Sequence, residues 1–103
     1  ASSILRFIQG SKRIVSSQLI QGQAEILEII AGSHMAILGV PLSHLRLPEG
    51  AIIAAIHRGE NFIIPKGDTI IKEGDRVFIM CLLSEVFQLE KLLRTTGKLG
   101  IFA

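Results

Sequence analysis

Between residues 51 and 83 the chain alternates short apolar runs with glycine-centred reversals, and that punctuation leaves little choice of fold. Ala51 to His57 is almost continuously apolar until Arg58-Gly59-Glu60-Asn61 supplies turn chemistry ahead of Phe62-Ile63-Ile64. Pro65 stops that second run, and the two together read as a β-hairpin. Lys66-Gly67-Asp68 and Glu73-Gly74-Asp75 then each hold a Gly-Asp pair, with the brief strand-like Thr69-Ile70-Ile71 between them. Glycine takes left-handed conformations without steric cost and aspartate bonds its own backbone. Gly59, Gly67 and Gly74 are therefore expected at reversals between short antiparallel strands.

Arg76 to Leu83 is apolar without alternation, the pattern of a central strand covered by helices on one side and by a partner on the other. Ser84 is placed to N-cap a final helix, with Val86, Leu89 and Leu93 on one face, Lys91 and Arg94 near its end and Gly97 to stop it. Upstream, Ala24 to Ala31 fits either a helix or a strand, and its shortness between Gly22 and Gly32 favours the strand. Pro41 and Pro48 bracket at most one or two helical turns around Leu42 to Leu45. Lys12 to Gln23 is polar enough to read as a connector, with a short strand around Arg13 to Val15. Ile4 to Ile8 is a short amphipathic pattern that ends at Gly10. The expected class is α+β: a small, mainly antiparallel sheet with helices on one face, in the order β-α-β-β-β-α.

A chain of 103 residues makes one domain. Apolar residues make up 49% and charged residues 19%, greasy enough that part of the surface is expected to be an interface. A formal charge of +2 from scattered basic residues, with no Trp or Tyr, argues against nucleic acid as a partner. The longest apolar stretches are about seven residues, against the ~20 needed to cross a bilayer. One cysteine and no basic-then-apolar leader point to a reducing, cytoplasmic setting. The opening Ala1-Ser2-Ser3, without Met, suggests a piece cut from a longer protein.

Catalytic or metal chemistry finds little purchase. His34, His44 and His57 lie too far apart for a metal-ligand spacing and read as structural. Cys81, between Met80 and Leu82, reads as a buried hydrophobe rather than a nucleophile. Asp68 and Asp75 read as turn formers, and Glu25 and Glu28 as solvated or interface positions. No nucleophile with a base and no paired acids are evident, so an enzyme is not expected.

The ordered set Leu45-Arg46-Leu47-Pro48-Glu49-Gly50-Ala51-Ile52-Ile53-Ala54-Ala55-Ile56, Arg58-Gly59, Ile64-Pro65-Lys66-Gly67-Asp68-Thr69 and Glu73-Gly74-Asp75-Arg76-Val77 resembles the TrkA C-terminal (RCK_C) domain of potassium-conductance regulators. Gly22 to Glu28 resembles the first strand of that module, and Gly39-Val40-Pro41-Leu42 its helix entry. The resemblance covers residues 22–94, leaving 1–21 as the linker or tail of a missing N-terminal domain and 95–103 as a C-terminal tail. It implies a regulatory subunit, cytoplasmic and peripheral at the inner face of the membrane, that forms homodimers and gates a membrane potassium translocator. NAD or ATP would belong to a Rossmann-like N-terminal domain, because no G-x-G-x-x-G occurs here, and no cofactor is expected in this domain. Some relatives bind cyclic di-AMP across the dimer through two aliphatic residues, a polar residue, an Arg and an Asn. Ile52, Ile53 and Arg58 match that set as ligand-binding candidates, whereas Ile56 and Ile64 stand where its polar residue and its Asn belong. A small-molecule or nucleotide ligand thus competes with a purely structural dimerisation role, and an RCK_C domain appended to another cation transporter or antiporter is a further alternative.

Overall fold

A computed structural model describes residues 14–94, the side chain of Ser16 apart. Five strands form one sheet: β1 (Ile14–Ile20), β2 (Ala24–Ile30), β3 (Ala51–Arg58), β4 (Asn61–Ile63) and β5 (Arg76–Leu82). They lie in the order β1-β2-β5-β3-β4, and every neighbouring pair is antiparallel. The helix α1 (Val86–Arg94) follows a 3-10 turn at Leu83–Glu85.

The α+β class and the position of Arg76 to Leu83 at the centre of the sheet are as expected, but the element order differs at two places. The segment expected to be a connector with a short strand at Arg13 to Val15 instead supplies the seven-residue β1. It folds back on β2 through Gln21 and Gly22, both at positive φ, and the Gln23 N–H donates to the Ile20 carbonyl at 3.0 Å. This is the primed turn geometry that matches the twist of paired strands. An edge strand tolerates a solvated polar residue such as Gln18, and Ser17 is small enough to be buried opposite Leu27, so the segment's composition masked it. The expected first helix shrinks to a single 3-10 turn at Leu42–His44. Its Leu42 and Ser43 amides donate to Thr69 and Gly67 carbonyls at 2.9 Å each, bonds that hold the turn against a loop instead of propagating a helix.

Thr69 to Ile71 likewise stays outside the sheet, making isolated bridges from Ile71 to Leu38 and from Ile70 to Pro41. Gly59 and Gly74 have positive φ as their turns require, whereas Gly67 does not, so only two of the three reversals use the left-handed region. The patterns at Ile4 to Ile8, Gly10 and Gly97 lie outside the described residues.

One face of the sheet carries the core. Leu27 and Ile29 of β2, Ile56 of β3 and Val77, Ile79 and Cys81 of β5 are buried there, joined by Val86, Leu89 and Leu93 of α1. Those three helix positions are the ones the sequence spacing places on one face. Ala31, Met35, Ile37 and Ile71 join the cluster from the loops, and Ala51 from the start of β3. The helix begins without a side-chain cap, since its 3-10 entry starts after Leu82, and Ser84 does not serve as the N-cap.

Candidate functional site

The opposite face of the sheet is the unusual one. Strand residues alternate between faces, so an antiparallel sheet packed on one side normally shows polar side chains on the other. Here the alternate positions are also apolar: Ile52 is 57% exposed, Phe62 66%, Leu82 47% and Met80 38%. Ile52 pairs with Met80, Ala55 with Phe78, and His57 with both Arg76 and Phe62, so these side chains share a single surface. The His57 ring stacks on Phe62 with centroids 4.7 Å apart and 21° between planes, and Phe62 lies 6.1 Å from Phe78. Charge on the strands of this face is limited to Arg76 and Glu28, which bond to one another across β5 and β2.

The three candidate ligand residues are not brought together. Ile53 pairs with core-facing Ile79, so Ile52 and Ile53 point to opposite faces of β3. A bulge between Ile53 and Ala55 then keeps Ile56 inward, fully buried opposite Val77. Arg58 sits at the far end of the strand, roughly 20 Å from Ile52 at ~3.3 Å per residue. Its guanidinium is engaged: Nε donates to Asp75 Oδ1 at 2.9 Å, and Nη2 donates to Asp75 Oδ2 at 2.7 Å and to the Ile70 carbonyl at 2.9 Å. Asp75 Oδ2 also accepts the Lys72 N–H at 2.9 Å. Hydrogen bonding to Asp75 raises the Arg58 pKa above its ordinary value. The anion that Arg58 meets within the protomer is therefore an internal one. Chain position gave no hint of this partner, because Asp75 is accounted for as a turn residue and lies 17 residues away.

Ile52 and Ile53 do border a common feature, an open recess of about 280 Å³ whose walls include Leu42, Leu47 and Pro65, with Ser43 and Lys66 as polar neighbours. Ile64 is 75% exposed. Among the described residues no group of three or more His, Cys, Asp or Glu could hold a metal ion, and no helix is long and apolar enough to cross a membrane.

The model of the TrkA-C domain matches residues 26–94, which spans α1 and all of the sheet except β1 and the first residues of β2. The chain belongs to the TrkA-C family. It is 40% identical over 94 residues to Trk system potassium uptake protein TrkA homolog 2 of Methanosarcina mazei, covering 90% of this chain and 21% of that protein. It is 38% identical over 55 residues to the K(+)/H(+) antiporter NhaP2 of Shewanella oneidensis, covering 53% of this chain and 9% of the antiporter. This TrkA-C chain thus spans about a fifth of the length of the TrkA relative and less of the antiporter. A solved RCK domain with cda superposes with a TM-score of 0.55 at 25% identity, over 66% of this chain and 96% of that one.

Proposed function

We propose that this TrkA-C domain is a regulatory module of a potassium-uptake system, in which two copies associate through the open sheet face and their relative arrangement biases a membrane translocator. The observation that carries the reading is the second apolar face. Ile52, Phe62, Met80 and Leu82 stand exposed on a surface whose strand charges, Arg76 and Glu28, already neutralise one another. Five strands about 4.8 Å apart and up to seven or eight residues long give a face of roughly 20 by 20 Å. A stable pair typically buries about 800 Å² of accessible surface per partner, so the reading requires contact over this whole face. A neutral, apolar face of this size is complementary to a copy of itself, as a twofold interface requires.

Ligand sensing is the second half of the reading. The recess beside Ile52 and Ile53 supports it, and a ligand would act by preferring one dimer geometry over another. Arg58 contributes to binding only through donors that Asp75 and Ile70 leave over. NAD or ATP would be bound elsewhere in a longer protein, and the domain has no catalytic part in this scheme. The similarity to an antiporter favours a second host for the same module, a cation antiporter regulated from an appended domain.

Sedimentation equilibrium tests the dimer, and a chain monomeric at high micromolar concentration counts against it. A thermal-shift panel of nucleotides, dinucleotides and cations tests sensing: a ligand at 100 times its Kd adds about 2.7 kcal/mol. No shift with any of them leaves a purely structural dimerisation domain.

A further inference from the structure

We propose that His57 makes the association of two copies pH-dependent, the charged imidazole weakening the pairing of the open faces; this rests on the dimer reading above. His57 lies half-buried within that face, stacked on Phe62 of β4 and paired across β5 with Arg76. Histidine is the side chain that changes charge between pH 5 and 8. Among the described residues, the groups around it offer a cation no new partner. Strand β4 contributes no titratable residue, and the turn from β3 contributes Glu60, which is solvent-exposed. On β3 itself, the adjacent Arg58 is turned to Asp75. From β5 comes Arg76, a like charge, and from β2 Glu28, the acid already bonded to Arg76.

In a lone protomer a protonated ring keeps its water and its favourable contact with the Phe62 face. A facing copy removes that water and, by twofold symmetry, brings a second imidazole into the same interface. Above the histidine range the face is net neutral, and below it each copy carries one uncompensated positive charge into the contact. The charge enters the contact twice, once from each copy, so its penalty on pairing counts twice.

The test measures the dimer Kd of the 103-residue chain by sedimentation equilibrium at pH 7.5 and 5.5, alongside His57→Phe and His57→Gln. Circular dichroism confirms that each sample is folded. Phe retains the stack on Phe62 without a titrating group, and Gln retains polarity, so at least one variant reports even if the other folds poorly. A wild-type Kd that rises threefold or more at pH 5.5, with the rise absent from the folded variant, supports the proposal. A smaller rise, or one that persists in the variants, overturns the switch and leaves the dimer reading standing. A wild-type chain monomeric at both pH values removes the dimer reading and the switch together.

Discussion

Arg58 grips Asp75 with two points of contact, Nε to Oδ1 at 2.9 Å and Nη2 to Oδ2 at 2.7 Å, and the two ends of the pair are unequally buried. The Asp75 side chain is 2% exposed and the Arg58 side chain 34%. The pair ties the last residue of β3 to the turn before β5, and the same turn is pinned to the end of β2 by the Gly74 amide on the Ala31 carbonyl and the Ala31 amide on the Asp75 carbonyl, both at 2.8 Å. Three strand ends therefore meet at this one carboxylate-centred joint.

The inequality predicts an asymmetric mutational response. Arg58→Met strands a buried carboxylate, a class of change that costs about 3–5 kcal/mol when both partners are buried and ~2–4 kcal/mol here, where the arginine reaches solvent. Asp75→Asn retains a side-chain oxygen for the Lys72 N–H and leaves Arg58 partly hydrated, at a cost of about 1–2 kcal/mol. Urea denaturation of both variants measures the order, and an Asp75→Asn cost equal to or above that of Arg58→Met would show that the joint is not organised around the acid.

Acid should loosen the same joint. Burial pushes the Asp75 carboxyl up and is its largest single influence, but the Arg58 hydrogen bond, the Lys72 N–H and the charges of Arg58 and Lys72 together hold it below its ordinary value of 3.8. A folded pKa below the unfolded one gives stabilisation that is complete above the unfolded carboxyl range and is lost as pH falls through the folded value. The stability gap between wild type and Asp75→Asn is therefore expected to hold constant above about pH 5 and to close progressively below about pH 4. Urea midpoints from pH 2 to 7 check this, and a gap that widens on acidification contradicts it.

The sequence pattern made the central strand, the β3–β4 hairpin and the buried helix face legible because each rests on local periodicity or turn chemistry. Val86, Leu89 and Leu93 are spaced for one helix face, and all three are buried. Strand β1 was largely hidden because Ser17 and Gln18 look like loop composition, and an edge position asks less of side chains than a central one. The recess is visible only in part, since Ile52 and Ile53 border it but Leu42 and Pro65 arrive from separate loops. The Arg58–Asp75 pair was not legible at all. Both residues stand out in the sequence, one as a ligand-binding candidate and one as a turn former, yet pairing them requires the order of strands in the sheet, which periodicity does not specify.

Cys81 should be chemically silent in the folded chain. It is buried on the core face of β5, and burial, followed by the charges of Glu85 and Glu25, raises its thiol pKa above the ordinary value of 9.0. The thiolate is the reactive form, so a thiol reagent at pH 7.5 is expected to label the native chain at least tenfold more slowly than the chain in urea. Comparable rates in the two conditions would place Cys81 outside the core.

The two faces of the sheet predict opposite consequences for two apolar substitutions, and the contrast separates folding from association. Leu27 is fully buried in the core, and Leu27→Ala removes packing that the surrounding core cannot replace, at a cost of about 2–5 kcal/mol. Ile52 is 57% exposed in the single protomer, so Ile52→Glu is expected to change protomer stability by no more than ~0.5 kcal/mol. In the proposed dimer, however, that carboxylate would enter an apolar contact twice, once from each copy, and the dimer Kd should rise at least tenfold. Chemical denaturation below the dimer Kd reads the first quantity, and sedimentation equilibrium reads the second. An Ile52→Glu chain that associates as tightly as wild type would remove β3 from the interface and with it the reason two copies should meet on this face.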